Sequence, residues 1–337
     1  MAPAAIRRVK HTMTDQIAAD RASPPHDPDP HAPARSRTIT CILNASAGTH
    51  QAEQARDTLA ALFARHGAAA NIVLTRGGAG LVEAARRAVA EGGDQPIVAG
   101  GGDGTLNAVA GVLAGTGRVF GVLPLGTLNH FAKDLGIPLE LEAAVATLFH
   151  GTVARVDVGE VNGQIFLNNS SLGIYPALVR EREALQRGGA SKWVAFARAL
   201  VSISWRYKPL TVGLTVDARE EPGDETLFVF IGNNRYETMG SHLGERARLD
   251  SGHLWICRAP RAGRGKLLGM ALRALLGRLA PGALETHEAR DCWIRTRTRH
   301  PRVARDGEVA AMTSPLHYRS RPGALNVLVP ATGARLP

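Results

Sequence analysis

Hydrophobic and polar positions alternate between two periodicities over the first part of the chain. Short apolar runs such as residues 38–43 are typical of buried strands, whereas apolar residues spaced three and four apart predict amphipathic helices. The pattern predicts strands at 38–43, 70–75, 96–100 and 119–126, and helices at 51–67, 81–93, 106–113, 128–134 and 140–149. Because strands and helices alternate, a parallel sheet covered on both faces is expected.

Beyond about residue 150 the period shortens toward two, which is typical of antiparallel strands. Asn162 and Gly163 predict a hairpin turn, and helical insertions are expected near 191–205 and 264–279. Further strands are predicted at 209–217, 226–234, 252–260 and within 290–310. The predicted class is therefore α/β, with an N-terminal parallel-sheet domain and a mainly antiparallel β domain.

These patterns give three predicted segments. Residues 1–36 are proline-rich and polar and are expected to form a disordered tail. Residues 37–150 form the α/β domain and residues 151–330 the β-rich domain, with the last strand expected to return to the first domain.

The net charge of the chain indicates which classes of partner it is suited to bind. The 337 residues carry a formal net charge of +10, which suits a phosphorylated substrate or an anionic membrane, although arginine-rich composition alone would also produce it. Aromatic residues make up 5%, and no RNA-binding signature is present, which argues against nucleic-acid recognition. Three widely spaced cysteines predict buried thiols. The sequence lacks a long apolar run and a secretory signal pattern, so a cytoplasmic protein is expected.

A glycine-rich loop, "GGGDGT" at residues 100–105, follows the third predicted strand and opens a helix. Glycine backbone and the free amides of a helix N-terminus are suited to phosphate groups. Asp103 would repel a phosphate, but a Mg²⁺ ion held by its carboxylate would reconcile the two charges. The alternative is a tight turn in which Asp103 serves as a helix cap.

A second loop of the same kind follows the next strand, where Gly126 and Thr127 precede a helix. Neighbouring parallel strands place such loops along one rim of the sheet, where open α/β sheets bind ligands. The two loops together indicate an anion site at this rim.

The two loops, read as "GGGDGTLNAVAG" and "PLGTLNHFAKDLGIP", resemble the diacylglycerol kinase catalytic-domain family, which includes bacterial lipid kinases and sphingosine kinases. The resemblance continues through "NASAG" at 44–48, "VDVGEVNGQIFLNNSSLG" at 156–173, "LDSGHLWI" at 249–256 and "RDGE" at 305–308. It covers residues from about 38 to 330.

The resemblance implies an ATP-dependent lipid kinase of phospholipid metabolism, which transfers the γ-phosphoryl group to the hydroxyl of a diacylglycerol-like or sphingoid-like lipid. By the resemblance, ATP would lie on the first domain and Asp306 would be the general base beside Glu308. The Mg²⁺ ligand expected from the charge of the glycine loop is Asp103. The nucleotide-binding positions that the resemblance implies are Asn44, Ser46, Gly48, Thr75, Gly101, Gly102, Asp103, Gly104, Thr105, Asn107, Gly126, Thr127 and Asn129.

Four positions depart from the family pattern. Ala45 replaces a proline, Ala108 a glutamate, His130 an acid and Ser251 an aspartate. These departures leave a non-catalytic nucleotide- or lipid-binding protein as one alternative. An enzyme similar to NAD kinases is the other, because NAD kinases also carry the GGDGT motif found here at residues 101–105.

A lipid substrate implies peripheral contact with a membrane surface. Residues 263–282 and 191–208 have apolar stripes and basic residues typical of interfacial helices, but packing on the β domain would give the same pattern. The oligomeric state is left open, with a homodimer as one option.

Overall fold

The computed structural model describes residues 37–45, 49–173, 209–237, 245–259, 269 and 284–331. The predicted tail at 1–36 and both candidate interfacial helices lie outside these residues, as do Ser46 and Gly48.

The first part of the chain alternates strand and helix as its periodicity predicts. Its elements are β1 (Arg37–Asn44), α1 (Thr49–Arg65), β2 (Ala68–Thr75), α2 (Gly77–Ala90), β3 (Ile97–Gly101), α3 (Asp103–Leu113), β4 (Val119–Pro124), α4 (His130–Asp134) and α5 (Leu141–His150). The four strands pair in parallel in the order β2-β1-β3-β4. The direction of winding therefore reverses between β1 and β3, which is the point where doubly wound sheets bind ligands.

Later strands continue this sheet. They are β5 (Thr152–Val161), β6 (Gln164–Phe166), β8 (Leu210–Val216), β9 (Arg219–Thr226), β13 (Asp291–Thr296) and β16 (Leu316–Val329). β16 pairs in parallel with β4 and antiparallel with β5 and β13, and β8 and β9 follow at the edge. Together with β1 to β4, these strands form a mixed sheet of ten strands among the described residues. The sheet therefore contains strands from both sides of the domain boundary predicted near residue 150.

A second, antiparallel sheet contains β7 (Asn169–Gly173), β10 (Phe228–Asn233), β11 (Leu254–Arg258), β12 (Glu285–Ala289), β14 (Arg302–Arg305) and β15 (Glu308–Ala311). Among the described residues its order is β12-β11-β10-β7-β14-β15. The predicted hairpin at Asn162–Gly163 joins β5 to β6, and both residues have positive φ. The predicted α/β class with a separate antiparallel sheet is confirmed.

Two apolar cores stabilise this arrangement. One lies around the parallel strands and includes the fully buried Phe120 and Leu106. The other lies between the two sheets, where Ile294 and Tyr318 of the mixed sheet pack with Ile231 of the antiparallel sheet. Burial of each such side chain contributes about 1.5–3 kcal/mol to stability.

The three cysteines are buried and unpaired, which confirms the prediction from their spacing. Burial raises the pKa of each thiol to about 12. Of the helices that the structure describes, none has both the length and the apolar composition needed to cross a membrane.

Candidate functional site

The two glycine loops meet at the carboxyl ends of β3 and β4. Gly101 pairs with Pro124, and the amide of Leu125 donates to the Gly101 carbonyl at 3.1 Å. A Cβ atom at Gly126 would lie 2.3 Å from the Cα of Gly102, so the loops touch through backbone atoms. This close approach requires glycine and leaves a bare peptide surface at the rim of the sheet.

Helix α3 begins at Asp103, directly after the first loop. Its first amides have no acceptor within the helix, and those of Thr105 and Leu106 bond to the Gly102 carbonyl. The amides of Asp103 and Gly104 are therefore the ones that the helix can present to an anion, in the favourable field of its dipole.

The carboxylate of Asp103 ties the two loops together. Its Oδ2 accepts from the amide of His130 at 3.2 Å, and its Oδ1 accepts from the amide of Phe131 at 3.1 Å. Asp103 is thus a cap, but of α4 rather than of its own helix. Each carboxylate oxygen has a second lone pair, so this contact does not exhaust its capacity to bind a cation.

Asn129 shapes the second loop from within. It is buried in the left-handed conformation (φ 51°), and its side chain accepts from the Gly126 amide at 3.0 Å and donates to the Gly126 carbonyl at 2.8 Å. Its amide is therefore used by the turn. Thr127, two residues earlier, is exposed at the rim.

Three further predicted positions support the rim from below. Asn44 donates from Nδ2 to Thr105 Oγ1 at 3.2 Å, across the point where the winding reverses. Thr75 is buried and donates to the Leu43 carbonyl at 3.1 Å. These side chains hold strand ends and loops in register, whereas Gly101, Gly102, Asp103, Gly104, Gly126 and Thr127 are at least partly accessible at the rim.

The "RDGE" segment forms the turn between β14 and β15, with positive φ at Asp306 and Gly307. The Asp306 carboxylate accepts from the amides of Leu167, Asn168 and Asn169 at 2.7–3.0 Å. Burial raises the pKa of Asp306 to about 6, against the lowering effect of these amides and of Arg246. Asp306 therefore fixes the turn to the 167–169 segment.

Glu308 occupies the position next to the glycine loop. Its Oε1 lies 3.3 Å from where a Cβ of Gly104 would stand, and the residue is exposed. The structure thus brings together the two glycine loops, the start of α3 and Glu308. Of the two predicted catalytic carboxylates, Glu308 is the one placed against the loop.

Comparisons with known proteins show which family the chain resembles. Residues 38–161 match the diacylglycerol kinase catalytic domain, and residues 177–329 match the YegS C-terminal NAD kinase β-sandwich-like domain. A Pseudomonas fluorescens protein named "probable lipid kinase YegS-like" is 33% identical over 248 residues, which are 71% of this chain and 78% of that protein. The chain belongs to the diacylglycerol kinase catalytic-domain family.

Other relatives are consistent with this assignment. A Pseudomonas aeruginosa protein with the same name is 40% identical over 178 residues, but this match spans 50% of the chain and 57% of that protein. A diacylglycerol kinase from Bacillus anthracis has a solved structure with a TM-score of 0.62, 20% identity, and coverage of 88% of this chain and 98% of its own. At that identity the likeness shows the fold alone. The family predicted from the sequence is confirmed.

The structure shows what Ser251, one of the departures from the family pattern, bonds to. Ser251, which stands where the family carries an aspartate, bonds to Asn234 Oδ1 through its amide (2.9 Å) and its hydroxyl (2.5 Å). Asp157 accepts from the amides of Gly252 and Gly323 at 2.6 and 2.8 Å. These hydrogen bonds join residues 251 and 252, where the family carries its acidic run, to Asn234 and to Asp157 of β5.

Two other departures lie at the loops. His130 is exposed and contributes its backbone amide to Asp103, so the loss of an acid there leaves the cap intact. Ala108 is on α3, next to the buried Asn107, whose Oδ1 has no hydrogen-bond partner in the described part of the chain. One turn farther along α3, a Cβ at Gly111 would lie 3.6 Å from Cγ1 of Ile165, so the helix packs on β6 there.

A buried arginine that the sequence did not indicate connects both halves of the site. The Arg246 side chain is fully buried and donates from Nη2 to Asp134 Oδ2 at 2.6 Å. It also donates to the Leu167 carbonyl at 2.7 Å and to Asn168 Oδ1 at 2.7 Å. Arg246 thereby links α4, which Asp103 caps, to the segment that holds Asp306.

Proposed function

We propose that this protein is a lipid kinase that transfers the γ-phosphoryl group of ATP to the hydroxyl of a lipid of the diacylglycerol or sphingoid class. The observation that carries the proposal is the position of Glu308, whose Oε1 lies 3.3 Å from where a Cβ of Gly104 would stand, on the loop that approaches Gly126. The carboxylate that would take the proton of the lipid hydroxyl therefore lies beside the backbone surface that would hold the phosphates. In-line phosphoryl transfer requires the hydroxyl and the γ-phosphate to be positioned together in this way.

The nucleotide phosphates would lie on the bare peptides of the two loops. The amides of Asp103 and Gly104 and the Thr127 hydroxyl are the donors available at this rim. Asn44 donates to Thr105 and Asn129 accepts from Gly126, so hydrogen bonds hold the two loops that carry these donors before the nucleotide arrives.

The residues at the rim also fit a magnesium ion. No group of three His, Cys, Asp or Glu side chains is placed to hold a metal in the described residues. However, magnesium commonly uses one or two carboxylates together with substrate phosphates and water, and the Asp103 carboxylate is suitably placed. When bound, the ion would neutralise charge on the phosphates.

Glu308 is the better-placed general base. An exposed carboxylate beside the loop can accept the proton of the lipid hydroxyl as its oxygen forms the bond to the γ-phosphorus and the bond to the departing ADP breaks. Asp306, bound by three amides, is a positioning residue that sets the turn carrying Glu308.

The test of the proposal is a transfer assay with the full chain, Mg²⁺ and ATP labelled at the γ-phosphate. Parallel samples contain vesicles with diacylglycerol, vesicles with sphingosine, or NAD. We expect label in the organic phase of at least one lipid sample and none on NAD. Label on NAD alone would favour an NAD-kinase-like enzyme, and nucleotide binding without transfer to any lipid would favour a binding protein.

Gly126→Ala tests the contact between the loops. The added Cβ would meet the Gly102 backbone at 2.3 Å, so the loops must separate. We expect a loss of about 1–3 kcal/mol in the free energy of unfolding in urea and at least about tenfold weaker ATP binding by calorimetry. Gly78→Ala is the control, because a Cβ there has no neighbour within 4 Å. Unchanged ATP affinity in Gly126→Ala would contradict the assignment of the loops.

A further inference from the structure

A cavity of about 700 Å³ opens between the segment after α3 and the end of β16 that pairs with β4. Its walls include Gly115 and Gly117 on one side, and Arg155, Ser320 and Arg321 on the other. A bulge between Arg321 and Leu325 breaks the pairing of β16 with β5 at this place. We call this cavity the arginine cleft.

The arginine cleft lies at the amino-terminal end of β4, whereas the glycine loops lie beyond the carboxyl ends of β3 and β4. Its residue Asn326 pairs with Val119 at the start of β4, whereas the loops follow the end of that strand. Gly115 follows the C-terminus of α3, whose 11 residues span about 16 Å. The cleft is therefore separate from the proposed catalytic site.

The two arginines offer donors that the described residues leave mostly unused. Arg155 is exposed and makes one long bond, from Nη2 to the Gly323 carbonyl at 3.4 Å, and no carboxylate pairs with it in the described part of the chain. Arg321 donates to Glu160 Oε2 at 3.3 Å, and its Nη2 lies 3.1 Å from where a Cβ of Gly115 would stand. A guanidinium carries five N–H donors, so both can accept a further ligand.

The Ser320 hydroxyl lies beneath the surface of the cleft. Its oxygen is buried and has no hydrogen-bond partner among the described residues. Because solvent does not reach this oxygen, the two guanidinium groups are the donors that the cleft presents to a ligand.

The nearby acids are already engaged. Glu160 is shared by Arg319 and Arg321, and Asp157 accepts from the backbone amides of Gly252 and Gly323. Arg155, Arg319 and Arg321 therefore outnumber these two carboxylates. The remaining charge favours an anion, and planar guanidinium groups match the oxygens of phosphate.

We propose that the arginine cleft is a second anion-binding site that takes a phosphate group through the guanidinium groups of Arg155 and Arg321. The volume admits a phosphate ester with its substituents, so the source is either the headgroup of an anionic lipid or a soluble phosphate. The proposal stands independently of the kinase assignment.

The test compares the full chain with the R155Q/R321Q variant, so that any binding at the glycine loops is common to both proteins and cancels in the comparison. Pyrophosphate binding is measured by calorimetry, and vesicle binding by flotation with phosphatidylglycerol or with phosphatidylcholine alone. R319Q is the matched control, because Arg319 shares Glu160 but does not line the cavity. R155Q alone, which loses a single 3.4 Å bond, guards against misfolding of the double variant.

We expect the double variant to bind at least tenfold more weakly than the wild type and R319Q to remain within about twofold. Loss of pyrophosphate binding identifies a soluble phosphate, and loss confined to phosphatidylglycerol vesicles identifies a lipid headgroup. Equal binding by wild type and double variant, or binding to neither probe, would overturn the proposal.

Discussion

Replacing Glu308 with glutamine is expected to lower kcat for phosphoryl transfer by about 10²–10⁴-fold, with ATP affinity nearly unchanged. The amide keeps the size of the side chain beside Gly104 but cannot accept the hydroxyl proton. Single-turnover transfer and ATP binding by calorimetry measure the two quantities separately.

Two variants make this result interpretable. Glu220→Gln removes the same charge from an exposed residue of the edge strand β9 and should leave kcat unchanged. Asp306→Asn replaces one carboxylate oxygen with an NH2 group, which must face at least one of the three donating amides, so it should lower stability as well as activity. A folded Asp306→Asn protein without activity, beside a fully active Glu308→Gln, would assign the base to Asp306 instead.

Replacing Arg246 with methionine is expected to lower the free energy of unfolding by about 3–5 kcal/mol. The substitution leaves the Asp134 carboxylate without its cation and removes the donor from two backbone carbonyls, those of Leu167 and Asn233. Urea denaturation measures this loss. Activity should fall with it, because the same arginine links α4 to the segment that holds Asp306.

Arg248→Met is the matched control for this prediction. Arg248 also forms a 2.9 Å ion pair with an aspartate, Asp250, but its side chain is 66% exposed. An exposed pair contributes about 0–1 kcal/mol, so Arg248→Met should be nearly neutral. Equal losses in the two variants would show that burial does not determine the effect.

Local patterns were enough to predict the parallel half of the mixed sheet and the two loops. The apolar runs of β1 to β4 are short and bounded by glycine or polar residues, so strand ends and helix starts follow from the chain itself. The turn at Asp306–Gly307 likewise has a local signal. The fold class and the rim of the site could therefore be inferred before the structure.

Other features depend on partners far along the chain. β9 has the sequence "REEPGDET", which no propensity favours as a strand, and it forms by pairing with β8. Arg246 lies in a polar stretch that predicts an exposed residue, yet Asp134, 112 positions earlier, makes its burial stable. The different placements of Asp306 and Glu308 also depend on tertiary contacts, which two residues in one turn do not reveal.

The position of β16 has a consequence for biosynthesis. Residues 316–329 supply the neighbour of β4, so the open side of that strand stays uncovered while nearly 200 intervening residues are translated. An uncovered strand edge is a template for pairing with other chains. The nascent polypeptide should therefore be prone to self-association until β16 has been translated.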